Sequence, residues 1–146
     1  MIRSRIDKHR APRGRTAALL CFAATLSACA ALPGAGCGSA EQTQIVDTLY
    51  FGTARPGGTV SEGEWRAFID RVVTPRFPQG LTSWSAAGQW RGTSGTIERE
   101  DSRVLQLVHA DDEAAEQAAQ EVARAYKNEF HQEAVLRVRT RACVSF

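Results

Sequence analysis

A chain of 146 residues holds one domain and a tail, since domains cluster near ~100–150 residues. Its formal charge of +2 comes from residues 1–28, where Arg3, Arg5, Lys8, Arg10, Arg13 and Arg15 face a single acid, Asp7. Of the 18 basic and 16 acidic residues, 12 and 15 lie beyond that segment, a net charge of −3. A mildly acidic remainder lacks the basic footprint that neutralises phosphates, which excludes nucleic acid as a partner and argues against a polybasic membrane-surface protein.

Met1 to Arg15 is a basic stretch, and Thr16 to Ser27 is a run of Ala, Leu, Phe and Thr. Twelve helical residues span about 18 Å, short of the ~30 Å hydrocarbon core, so the order basic-then-apolar predicts a signal peptide rather than a spanning helix. No Arg-Arg pair is present, which favours export of the unfolded chain. Leu26-Ser27-Ala28-Cys29 resembles the lipobox of bacterial lipoproteins position for position. That resemblance implies cleavage after Ala28, a lipid on the Cys29 thiol and an acyl chain on its new amine; several acyl chains anchor firmly where one is marginal. It also implies a cell-envelope location, in the outer membrane facing the periplasm if the source is Gram-negative, because Ala30 follows the cysteine. Ordinary secretion with a free Cys29 is the alternative.

The expected division is a removed leader over 1–28, a lipidated cysteine with a flexible tether over 29–43, and a domain over 44–146. The tether rests on Pro33, Gly34, Gly36 and Gly38. Cys21 leaves with the leader. Cys37 and Cys143 then remain as a candidate disulfide in an oxidising compartment. The alternative is two unpaired thiols.

Gln44 to Gly52 reads as a strand and Thr53 to Val60 as a loop. Ser61 with Glu64 forms a capping box, and Trp65, Phe68, Ile69, Val72 and Val73 mark the buried stripe of a helix that Pro75 ends. Leu81 to Arg91 is a second strand with Trp84, Ala86, Gly88 and Trp90 on one face. Gly92 to Gly95 turns the chain into a third strand, Thr96 to about His109, bent near Asp101-Ser102. Asp111 or Asp112 caps a second helix with Ala115, Ala118, Ala119, Val122, Tyr126 and Phe130 inward. Ala134 to Phe146 closes the chain as a strand. Leu136, Val138, Ala142, Val144 and Phe146 take one face; Arg137, Arg139 and Arg141 take the other. The order β-α-β-β-α-β predicts an α+β, ferredoxin-like fold, with two helices on one face of a four-stranded antiparallel sheet. Its first and last strands are then antiparallel neighbours, which brings Cys37 and Cys143 to one end.

From Tyr50 to Phe146 the chain resembles a family of short bacterial proteins classed as a domain of unknown function. The resemblance rests on Tyr50-Phe51-Gly52, Ser61 with Trp65 and Phe68, Thr74-Pro75-Arg76-Phe77-Pro78, Gly88-Gln89-Trp90-Arg91, Glu100 and Val135-Leu136-Arg137-Val138. Members that are secreted or lipoproteins agree with the leader. The resemblance implies a compartment and leaves the chemistry open.

No metal or cofactor is expected. His9 leaves with the leader, only His109 and His131 remain, and no C-x-x-C or H-x-x-x-H spacing occurs. Gly92-Thr93-Ser94-Gly95 is a hairpin turn rather than a nucleophile elbow. His109 reads as a surface or capping residue. Two features remain as candidate ligand-binding groups. Arg137, Arg139 and Arg141 are expected on the sheet face opposite the helices, either as an anion site or paired with acids such as Asp47, Glu98 and Glu100. Tyr50, Trp84 and Trp90, with Gln89 and Arg91, are expected around the same sheet, as an apolar patch or as core. The expected function is a lipid-anchored envelope protein whose domain binds a partner or a small anionic ligand. The alternative is a cofactor-free enzyme acting on a small acidic organic molecule, in a pocket enclosed by a sheet-to-sheet homodimer.

Overall fold

The computed structural model describes residues 36–146. The leader, the lipobox with Cys29 and the tether up to residue 35 lie outside the described residues. Strand β1 (Gln42–Gly52) is followed by a two-residue hairpin, β2 (Ala54–Arg55) and β3 (Gly58–Thr59). Helix α1 (Glu62–Phe68) continues into a π-helical turn, Ile69–Val73. Then come β4 (Thr82–Arg91), β5 (Ile97–His109), helix α2 (Glu113–Phe130) and β6 (Leu136–Val144). The sheet order is β4-β5-β1-β6, every pair antiparallel. This is the ferredoxin-like arrangement expected from the element order. No helix among the described residues is long and apolar enough to cross a membrane.

Local chemistry accounts for the boundaries. Ser61 Oγ accepts from the Glu64 amide, and the Glu64 carboxylate accepts from the Ser61 amide at 2.9 Å, so the capping box starts α1. The helix then widens: the Thr74 amide donates to Ile69 O at 2.9 Å, five residues back, and the wider turn buries the consecutive Val72 and Val73 together. Of the two cap candidates for α2, Asp112 is the cap, accepting from Ala115 N at 2.8 Å. The loop expected over Thr53–Val60 contains the β2–β3 hairpin, turned by Gly57 at φ 85°.

One core fills the space between the sheet and the helices. Phe51, Trp65, Phe68, Tyr126 and Phe130 interlock with ring centroids 4.6 to 6.4 Å apart, above Leu49, Leu105 and Leu107. Trp65 Nε1 donates to Ser83 Oγ at 3.1 Å and the Tyr126 hydroxyl donates to Gly52 O at 2.9 Å. Burial pushes the Tyr126 hydroxyl far above its ordinary pKa, so it stays a donor.

Cys37 and Cys143 are joined by a disulfide with Cα atoms 5.3 Å apart. Thr43 pairs with Cys143 across the sheet, and the Gly38–Glu41 turn is closed by the Glu41 amide on Gly38 O at 3.0 Å. The strand therefore begins at Gln42, two residues before the expected Gln44. Residues 37–43, expected as tether, are fastened to the domain.

The expected placement of the arginine row is reversed. Register pairs Leu49 with Arg137, Asp47 with Arg139 and Ile45 with Arg141. Leu49, Asp47 and Ile45 face the helices, so the three arginines do too. The apolar alternates of β6 lie on the open face, where Leu136 is 61% and Val138 45% exposed. Alternation along β6 separates two faces without saying which is inner. Here α2 decides, by laying Glu116 over this edge strand.

Candidate functional site

The two faces of the sheet carry different chemistry. Under α2 lies a charged layer. Arg137 donates to Asp47 Oδ2 at 2.5 Å and to Glu116 Oε2 at 2.8 Å. Arg139 pairs with Glu116 and, at 2.7 Å, with Asp111; Arg141 pairs with Asp111. The neighbouring Arg141 and Arg139 hold the Asp111 carboxyl below its ordinary value. His109 is buried rather than on the surface, with Nε2 2.9 Å from Asp47 Oδ2 and Nδ1 2.8 Å from Ala110 O. Both ring nitrogens are engaged, so the 640 Å³ hollow beside it, between Phe77 and the start of α2, offers no free imidazole. This layer is a structural network: its cations have acids to meet. The pairing with Asp47 was among those expected; pairing with Glu98 and Glu100 does not occur.

The open face carries the pocket. Trp84 of β4, Val104 of β5, Tyr50 of β1 and Leu136 of β6 stand opposite one another in one row across the sheet. Val104, flanked by these side chains, is almost completely buried. The next row is Ala86, Ser102 and Gly52, and beyond it Gly88 faces Glu100. Trp90 closes the far side. Small residues between two bulky rows leave a hollow. β1 ends at Gly52, so β4 and β5 run on as a two-stranded arm, and its tip donates from Thr93 Oγ1 to Glu133 Oε1 of the α2–β6 connection at 3.3 Å. Sheet, arm and connection together enclose a cavity of 340 Å³. That size is at the lower end of small-molecule sites, roughly 300–1,000 Å³.

Glu100 is the charged centre of this cavity. Its Oε2 accepts from the Ala54 amide at 2.9 Å. A Cβ on Gly52 would stand 2.6 Å from Glu100 Oε1, so only glycine lets the carboxylate lie against β1. Ser102 Oγ donates to Ala86 O at 3.3 Å, and the Trp90 indole N–H is buried without an acceptor among the described residues.

Of the candidate residues, the structure brings Tyr50, Trp90 and Gln89 to the cavity wall. Arg137 and Arg139 lie on the other face, and Arg91 turns to Gly95 O at 3.3 Å, outside the cavity. The expected combination of aromatics with Arg137 or Arg139 around an acidic molecule does not form within the chain. Gly52, Ala86 and Ser102 were not singled out as site residues. The alternation Trp84-Ala86-Gly88-Trp90, large-small-small-large on one face, is the signal that could have found them.

The profile of a family described as protein of unknown function (DUF3574) matches residues 46–146. No curated protein matches the chain in sequence. Among solved structures, the chain is similar to a phage SAM lyase in complex with S-methyl-5'-thioadenosine. The identity is 12%, the TM-score 0.55, and the match covers 76% of this chain and 94% of that one. It is also matched to CutA from Synechococcus elongatus at 10% identity and a TM-score of 0.49, over 72% and 83% of the two chains. At such identities the likeness to the lyase is one of fold.

Proposed function

The chain belongs to that family of proteins of unknown function, and we propose that it is a lipid-anchored cell-envelope protein whose α+β domain binds a small organic molecule on its open sheet face. The 340 Å³ cavity between Tyr50, Trp90 and Leu136 carries the binding part of this reading. It has an apolar wall, one central carboxylate and a flank completed by the α2–β6 connection, as ligand sites do. Titrating the protein while following tryptophan fluorescence tests it, because Trp90 borders the cavity. The ligand solved with the phage lyase, S-methyl-5'-thioadenosine, is a first probe. A flat titration across small-molecule panels would count against a ligand site.

The envelope part rests on Leu26-Ser27-Ala28-Cys29 and the basic-apolar leader over 1–28. The Cys37–Cys143 disulfide supports it, since such bonds persist in oxidising compartments. In this reading Cys29 is acylated, and if the source is Gram-negative the chain faces the periplasm from the outer membrane. Labelled palmitate incorporated by the intact chain and lost in Cys29→Ala is the expected result; membrane fractionation without label in either form contradicts it. The uncovered row of Trp84, Tyr50 and Leu136, continued by Val138, further supports a second copy docking on the open face. Light scattering of Val138→Glu beside the unaltered protein distinguishes a dimer from a monomer.

A further inference from the structure

Resting on the reading of this cavity as a ligand site, we infer that its occupant is a small alkylated organic cation, such as a quaternary ammonium group, with Glu100 as counter-charge. Three observations converge on that class. The first is charge. Among the described residues, the cavity wall includes two carboxylates, Glu100 and Glu133, and no lysine, arginine or histidine. The arginines that might have made it an anion site lie across the sheet, held by Asp47, Glu116 and Asp111. Arg103, also on the helix side, is taken by Glu62 at 2.8 Å. An anionic ligand would meet two like charges. A neutral one would strip water from the Glu100 carboxylate without replacing its counter-charge.

The second observation is the wall. Tyr50 and Trp90 give it aromatic surface, and a cation within about 6 Å of such a ring face is attracted by its quadrupole. The third is the state of the polar groups. The Ser102 hydroxyl donates to Ala86 O, Gln89 Oε1 accepts from Arg99 at 3.3 Å, and Gln132 Nε2 donates to Ala54 O. Ser102 and Gln132 spend a donor and keep an acceptor oxygen, so the wall offers acceptors and few free donors, as suits a cation. The apolar shell of a methylated cation also suits the alanines, glycines and Leu136 around it. The small volume limits the head group to a few carbons around the charge.

Three isosteres separate the outcomes by calorimetry on the intact protein: choline, neutral 3,3-dimethylbutan-1-ol and anionic 3,3-dimethylbutanoate. Choline is expected to bind about tenfold or more tightly than the alcohol, with the anion weakest. Glu100→Gln, which keeps an acceptor for the Ala54 amide, is expected to narrow the gap between choline and the alcohol severalfold, leaving the share of Glu133 and the rings. Equal affinity of choline and alcohol for the unaltered protein overturns the cationic class and leaves a ligand cavity. Preference for the anion overturns it and reinstates an anion site. Failure of all three, together with a flat S-methyl-5'-thioadenosine titration, overturns the cavity reading itself. The isostere comparison uses unaltered protein, so it decides even if Glu100→Gln does not fold.

Discussion

Arg137→Ala is expected to be among the most destabilising single changes in the charged layer. Asp47 is fully buried in a face otherwise made of Ile45, Leu49 and Phe51, and Arg137, only 17% exposed, is its principal counter-ion. Removing the guanidinium leaves Asp47 with His109 alone and also strips a partner from Glu116. Breaking a buried pair by deleting one member costs about 3–5 kcal/mol, because the surviving charge stays desolvated. That is a large share of the ~5–15 kcal/mol that holds a domain together. With a urea dependence of ~1–3 kcal/mol per molar, the unfolding midpoint should fall by roughly 1–5 M. Asp47→Asn combined with Arg137→Met should recover much of the loss, since neither charge is then left alone. Arg141→Ala serves as the contrast: its pair with Asp111 is largely in solvent, and the expected change is within ~1 kcal/mol. If Arg137→Ala shifts the midpoint no more than Arg141→Ala does, the layer is not the structural network described, and the arginines return as candidates for ligand binding.

Gly52→Ala should reduce the choline preference while costing only about 1 kcal/mol of stability, because the new methyl pushes aside the flexible end of Glu100 and breaks its hydrogen bond to the Ala54 amide; parallel calorimetry and urea melts check both effects. Replacing Cys37 and Cys143 by serine opens a loop of sequence separation 106 and should cost ~2–5 kcal/mol, while a reductant should lower the melting temperature of the unaltered protein alone. The Ser61 backbone and hydroxyl, then Arg55, hold the Glu64 carboxyl down at about 2, against 4.5 when free. A depressed folded-state pKa gives stability that is fully present above pH 4.5 and lost as pH falls towards 2. The stability gap between unaltered protein and Glu64→Gln should therefore close over that window, followed by denaturation at stepped pH.

Local signals in the chain carried far. The capping box at Ser61 and Glu64, the stripe from Trp65 to Val73, the Gly92–Gly95 hairpin and the alternation of β4 and β6 each rest on neighbours within a turn or two of chain. They yield the element order, and with it the ferredoxin-like topology and the closeness of Cys37 to Cys143. The charged layer resisted the same reasoning. His109 looked peripheral because its partner, Asp47, lies 62 residues away. The arginines of β6 looked solvent-facing because hydrophobic alternation assigns apolar residues to the core. That rule assumes a helix covers the apolar side, and at the edge strand α2 covers the other one.

What the sequence determined alone is therefore the order of elements, their caps and the resemblance of Leu26 to Cys29 to a lipobox, since each is a property of adjacent residues. Only the tertiary structure decided which way β6 faces, which acids the arginines meet, and that Gly52, Ala86 and Ser102 line up between bulky rows to leave room beside Glu100. These are registers between strands far apart in the chain, and a shift of one residue in any of them would exchange the two faces.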